Sequence, residues 1–391
     1  MKSSAFVYPW DVNGDPEAPA RIAGLGVRQV TLAAAYHSTR ALTPRHPRHR
    51  VVTAEHAAVL YPTDPDGDRW AGRALRPYPA GDWAPGDAYG EAAAALAGAG
   101  LEVHTWVVLA HNSRLGAEHP DTSVVNAYGD RYPWAPCIAQ PATRAYLVDL
   151  AAEAAVRPGA RGTELESLGW YGLTHLHAHD KTAGVVLGDA GQYLMSLCFC
   201  PACRAGYGER GLDPEELADA VRTALEPVWQ QAAPSDGGWN CVEKLLGETK
   251  ATLTRAWRED TARTLQEAAV AAVRAAAPEG FQVLLHADPV PYHVGANPGV
   301  DPAHILSVAD GVVVPCTGGA GLLTPFAEQG RAGAVLAANF TVVSGMGGRP
   351  GTLAQDAARA QSLGATELRL YHAGLASDGD LAAVRSALAE L

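Results

Sequence analysis

Residues 88–109 read AYGEAAAALAGAGLEVHTWVVL, and this stretch decides the fold. The first half is alanine-rich, as helices favour, and it ends in glycine at position 100, where helices commonly stop. The second half, Leu101 to Leu109, is a short apolar and β-branched run of strand length. A helix that hands over directly to a strand belongs to a βαβ unit, in which helical crossovers join parallel strands.

The same unit recurs along the chain. Strand-like runs begin with SAFVYPW and continue with RQVTLAAAY ending at Tyr36, LEVHTWVVL, GTELESLGWYG ending at Gly172, and FQVLLHADP from Phe281. GVVVPCTG from Gly311, GAVLAANFTV from Gly333 and TELRLYHAG from Thr366 complete the set. Between them lie helical patterns such as TRAYLVDLAAEAAV, ATLTRAWREDTARTLQEAAVAAVRAAA and DAARAQSLG. Eight such runs predict a closed (β/α)8 TIM barrel. The competing open doubly wound sheet calls for a glycine-rich phosphate turn after its first strand, and YPWDVNGDP carries no G-x-G-x-x-G. The expected organisation is one α/β barrel domain over 1–391, with long insertions after strands two and four. The first runs from His37 to Trp83 and the second over residues 173–279. Both leave carboxyl ends of strands, the face on which barrel enzymes build their sites.

Bulk composition narrows the function classes. With 48% hydrophobic and 18% charged residues there is material for a large core. A net charge of -12 argues against a basic nucleic-acid footprint. No window reaches the apolar length of a membrane span, and strand-like AFVYPW follows Lys2 almost at once, without an apolar leader. These features predict a cytoplasmic protein without nucleic-acid or membrane partners, and they leave a homo-oligomer open.

Three of the six cysteines fall in SLCFCPACRAGY, residues 196–207. The spacing C-x-C-x-x-C brings Cys198, Cys200 and Cys203 within reach of one ion, and a tetrahedral zinc site needs a fourth ligand. Cys137 is the best candidate, because its loop precedes the helix leading into the fourth strand. A closed four-cysteine site would be structural, pinning the second insertion to the barrel. The alternatives are buried reduced cysteines and a redox C-x-x-C. Cys316, at the end of strand six, has no evident companion base and reads as a small buried residue.

In GTELESLGWYG, Glu164 and Glu166 lie two apart, so on a strand they share one face. Unpaired charges are seldom buried, so at least one serves a site or a salt bridge, such as a pairing with arginine. Glu166 is nearer the carboxyl end, where barrel catalysis occurs. A carboxylic acid there can serve as a proton donor when an apolar neighbour, for which Trp170 is the expected candidate, raises its pKa.

Cys137, Pro141, Arg144, Tyr146, Glu166, Cys198, Cys200 and Cys203 together form a pattern that resembles the zinc-bearing β-galactosidases of glycoside hydrolase family 42. The resemblance spans residues 130–207. It implies a (β/α)8 glycoside hydrolase acting on a small carbohydrate or glycoside, structural zinc on the four cysteines, and Glu166 as general acid. Those retaining enzymes carry a nucleophilic glutamate at the end of strand seven, whereas GAVLAANFTVVSGMGG has no carboxylate, and Asn339 is its obvious polar residue. The second carboxylate is therefore expected at Asp288, with Asp11 and then Asp180 as alternatives. A relocated partner standing further from Glu166 would suit inversion.

Histidines gather at the same predicted rim. His37, His111, His175, His177 and His179 follow strands two to four, and His286 and His372 end strands five and eight. Trp10, Tyr36, Trp106, Trp170 and Tyr371 fall near strand ends as well. Such residues hydrogen-bond sugar hydroxyls and pack against ring faces, which makes them candidate substrate-binding groups together with Asp11 and Asn339. Two rival readings remain. One is a metal-dependent isomerase, lyase or hydrolase using His175 or His177 with Asp180, His286 or Asp288. The other is a non-catalytic carbohydrate-binding barrel. RHPRHR, residues 45–50, is a basic island that could hold an anionic substrate group or simply pair with surface acids.

Overall fold

A computed structural model describes residues 1–64, 66–173, 180–231 and 237–391. Eight parallel strands close into a barrel: β1 (Lys2–Val7), β2 (Gln29–Tyr36), β3 (Glu102–Val108) and β4 (Ala160–Glu166), then β5 (Gln282–His286), β6 (Gly311–Pro315), β7 (Val335–Thr341) and β8 (Glu367–Tyr371). Each strand pairs with the next, and β1 closes the ring by pairing Lys2 with Glu367 of β8 and Ser4 with Gln29 of β2. The (β/α)8 expectation holds. β2 is buried along its whole length, as parallel strands covered on both faces are, which is why its sequence reads as a continuous apolar run.

The stretch that opened the sequence analysis folds as read. Helix α1 (Ala88–Gly98) is capped by the Asp87 carboxylate, which accepts from the Gly90 amide at 2.9 Å. It ends before Gly100, whose φ of +85° is the left-handed turn into β3. Helix α2 (Pro141–Ala155) leads into β4, where Gly162 lies under the His104 ring. A Cβ at Gly162 would stand 2.5 Å from His104 Cε1, so only glycine fits there.

The strand-four run is shorter than the sequence suggests. β4 stops at Glu166, where Ser167 follows with φ +59°, and β8 stops in the same way at Tyr371, where His372 follows with φ +62°. Non-glycine residues in the left-handed region carry strain, and both of these sit at carboxyl strand ends.

Both insertions leave the carboxyl rim. The first forms a hairpin, Thr39–Leu42 against Val51–Ala54, and a short strand Ala58–Val59 antiparallel to β2. The RHPRHR segment is its turn, and Arg45 spends its guanidinium on the backbone carbonyls of Gly374 (2.9 Å) and Ala376 beyond β8. That arginine straps the hairpin to the barrel. The second insertion carries α3 (Gly188–Met195), α4 (Pro201–Glu209), α5 (Pro214–Trp229) and α6 (Gly238–Leu246), and then α7 (Glu248–Ala276), which packs on α2. α5 is capped by Asp213, which accepts from the amides of Glu215 and Glu216. No described helix is long and apolar enough to cross a membrane.

Candidate active site

The barrel interior is polar where the inward faces of β1, β2, β4 and β8 meet. Ser4 and Thr31 share a hydrogen bond of 2.8 Å, and Thr31 donates to Glu164 Oε1 at 3.2 Å. Arg369 Nε donates to the same oxygen at 2.6 Å, while its Nη1 donates to Glu367 at 2.8 Å. Burial would raise the Glu164 pKa, but the Arg369 charge overrides it and holds the carboxyl down to about 2. Glu164 is thus the salt-bridged member of the pair.

Glu166 sits two residues nearer the rim and is 3% exposed. Trp106 Nε1 donates to its Oε2 at 2.8 Å, and the Tyr371 hydroxyl donates to the same oxygen at 3.2 Å. Phe6 meets both Trp106 and Tyr371 edge to face, and Tyr36 meets Trp106 likewise, so the carboxyl lies in an aromatic box. Burial and then the Glu166 charge push the Tyr371 hydroxyl far above its ordinary range. Sequence reasoning placed Trp170 beside Glu166. The structure instead puts Trp106 there, and Trp170 donates to the Arg258 carbonyl at 2.8 Å with the Arg258 guanidinium over its ring. His286 lies between the two glutamates, its Nε2 3.7 Å from Glu164 and its Nδ1 3.8 Å from Glu166.

A second group of rim residues continues the box outward. Tyr8 donates to the Tyr36 hydroxyl at 2.9 Å, lies 3.0 Å from His372 Nδ1 and stacks on Trp10 at 4.6 Å. Burial, helped by His37, lowers the His372 pKa to about 3, so its imidazole is neutral at ordinary pH. Tyr36 stacks on His37 at 4.2 Å, His37 meets His111 at 4.7 Å, and His111 stacks on Tyr171 at 4.7 Å. Imidazole and phenol faces therefore lead from Glu166 to an open cleft.

That cleft holds about 540 Å³ at the carboxyl rim of β2 to β6. His37, His111 and Tyr171 line one side, Asp189 and Tyr193 come from inserted helix α3, and Asp288, Tyr292, His293 and Asn297 come from the segment after β5. Asp288 is held by its neighbours: Oδ1 accepts from the Val290 amide at 2.8 Å, and Oδ2 faces His293 Nδ1 at 3.0 Å. The far side of the same ring is 3.9 Å from Asp189. Burial would lower the His293 pKa, but Asp288 and Asp189 raise it overall.

Not every candidate from the sequence joins this cleft. Asp11 borders a separate cavity of about 30 Å³ with Arg45, His46 and Gly374, and its Oδ2 accepts from the Tyr8 amide at 2.8 Å. Asn339 is buried on β7, in register with Arg369, and its Oδ1 has no partner among the described residues. Asp180 is exposed. His175, His177 and His179 lie outside the described residues. Asp189, Tyr193, Tyr171, Tyr292, His293 and Asn297 were not anticipated. Tyr292 and His293 had a legible signal, because PVPYHVGANPG follows a strand directly and is rich in turn residues. Asp189 and Tyr193 had none, since only tertiary packing brings an inserted helix over the rim.

The four cysteines meet away from the cleft. Cys137 Sγ lies 3.6 Å from the sulfurs of both Cys200 and Cys203, and the four ligand atoms fall within 4.8 Å of one another. Four thiolates at about 2.3 Å from one tetrahedral ion stand roughly 3.8 Å apart, so the set fits a metal ion. The amides of Val125 and Cys200 each point at Cys198 Sγ at 3.4 Å, the kind of outer-shell donor that supports a thiolate ligand. Among the described residues this is the one group of three or more such side chains close enough to share an ion.

No protein-family model and no curated protein sequence matches the chain. Solved structures do resemble it in fold. The chain superposes on α-L-fucosidase isoenzyme 2 from Paenibacillus thiaminolyticus with a TM-score of 0.57 and 12% identity, covering 100% of this chain and 49% of that one. The glycoside hydrolase domain of PgaB (BpsB) from Bordetella bronchiseptica gives 0.54 and 15%, with 99% of each chain covered. The catalytic domain of β-amylase from Paenibacillus polymyxa gives 0.56 and 14%, covering 98% of this chain and 97% of that one. The chain spans about half of the fucosidase and 59% of a β-galactosidase from Marinomonas ef1. At such identities the likeness supports the fold, a TIM barrel of the kind these glycoside hydrolases use.

Proposed function

We propose that the protein is a glycoside hydrolase-like enzyme that cleaves a glycosidic bond in a small carbohydrate, with Glu166 as general acid. The observation that carries this reading is the setting of Glu166: a carboxyl at the end of β4, boxed by Trp106, Tyr36 and Tyr371, with two donors on Oε2. Both donors occupy one oxygen, so Oε1 is the atom suited to carry and deliver a proton. Asp288 is the proposed second carboxylate, acting as base or nucleophile; it lines the cleft, and His293 orients it. Aromatic faces at Tyr171, His111 and Tyr292 suit sugar rings, and the chain's fold neighbours are glycoside hydrolases. The cysteine set is proposed to hold structural zinc, through Cys137, Cys198, Cys200 and Cys203, tying the second insertion to the loop before α2. Zinc there would supply cross-linking and take no part in the reaction.

The test is hydrolysis of a panel of aryl glycosides by the wild type, Glu166→Gln and Asp288→Asn. Turnover that falls at least about a hundredfold in Glu166→Gln is expected, the usual scale of a lost general acid. Full activity in that variant would overturn the assignment. Binding of sugars without turnover of any glycoside would instead identify a carbohydrate-binding barrel.

A further inference from the structure

His286 and Glu164 present an unexplained pair of atoms. Among the described residues, Glu164 Oε2 and His286 Nε2 are both buried without a hydrogen-bond partner, and they face each other across 3.7 Å. Glu164 is fully buried and carries the charge that Arg369 stabilises, so its free oxygen requires a donor. His286, 2% exposed, faces that oxygen through Nε2, and a ring shift of ~0.7 Å closes the gap to an ordinary hydrogen bond.

We propose that Glu164 fixes His286 as its Nε2–H tautomer and so turns the Nδ1 lone pair toward Glu166. The consequence falls on Glu166. Its Oε2 already receives Trp106 and Tyr371, and the opposite tautomer would add a third N–H to the same oxygen. Each donor to a carboxylate favours the ionised form, so a third would work against a group that must hold a proton for delivery. Glu164, acting through His286, keeps that third donor away. It is a positioning residue, and its partners Thr31, Arg369 and Glu367 hold it in one orientation. The catalytic consequence rests on the reading of Glu166 as the acid; the tautomer does not.

A neutron structure of the wild-type protein at neutral pH reads the tautomer without any variant. Deuterium on His286 Nε2 and none on Nδ1 is the expected result, and deuterium on Nδ1, alone or together with Nε2, would overturn the proposal. Glu164→Gln supplies the second arm, because its amide can donate to Nε2 and drive the ring hydrogen to Nδ1. In that variant the deuterium is expected on Nδ1, with kcat lowered at least tenfold and KM little changed. An unchanged tautomer there would overturn the proposed cause. A switched tautomer with unchanged kcat would remove the catalytic consequence while leaving the pairing intact. Loss of the Glu166 assignment shows separately, as full activity in Glu166→Gln.

Discussion

At the scale of single residues, burial decides what each carboxylate can do. Glu164 and Glu166 share a strand face, yet Arg369 claims only the first, and indole and phenol donors hold the second. The sequence separated them only by position along the strand; β8 supplies the arginine that pairs with Glu164. Asp11 shows a different outcome of burial. Its pKa rises from the ordinary 3.8 to about 7, because desolvation outweighs the Tyr8 amide and the Arg45 charge. The folded protein therefore keeps this proton where the unfolded chain releases it. The stabilising contribution is complete below about pH 4 and is lost as pH rises to about 7. Asp11→Asn is expected to flatten that decline and to gain on the order of a few kcal/mol at pH 8, since each pKa unit is worth about 1.4 kcal/mol. Urea unfolding of both proteins between pH 4 and 8 measures this, and parallel pH curves would contradict it.

At the scale of elements, the two insertions bury apolar side chains against the main core, among them Trp70, Leu75, Leu194 and Leu225, and polar contacts fasten them further. Glu153 on α2 receives Trp70 (2.6 Å), Thr63 (2.9 Å) and Tyr61 (3.1 Å) from the connection after β2. Glu153→Ala leaves three donors without their acceptor and is expected to cost about 2–4 kcal/mol, read by denaturant unfolding. For the second insertion the proposed clasp is the cysteine set. With zinc bound as proposed, Cys200→Ser should lower both metal content and melting temperature, the latter by at least about 5 °C. Elemental analysis together with calorimetry checks both, and a metal-free wild type of equal stability would contradict the zinc assignment. The cysteine grouping was legible because three ligands fall within six residues. The polar clasp at Glu153 was not, since nothing local marks a helix-surface glutamate as the acceptor for a distant loop.

At the scale of the whole molecule, the barrel was readable because parallel strands buried on both faces leave continuous apolar runs, and glycine marks the helix ends between them. The rim was readable only as a direction. Residues at strand ends, such as Glu166, Tyr36 and Asp288, were found because position on the strand implies place in the barrel. Asp189 and Tyr193 were hidden, because the course of an insertion across the rim is fixed by packing among α3, α6 and α7 rather than by strand spacing. The cleft and the Glu166 box thus come from different parts of the chain, and the account requires one substrate to reach both. The most direct test is a crystal structure of Glu166→Gln with an uncleaved oligosaccharide bound. The account predicts sugar rings against Tyr171 and Tyr292, with the scissile oxygen within about 3 Å of the amide that replaces the Glu166 carboxyl. An oligosaccharide seated in the cleft with every glycosidic oxygen far from position 166 would contradict it.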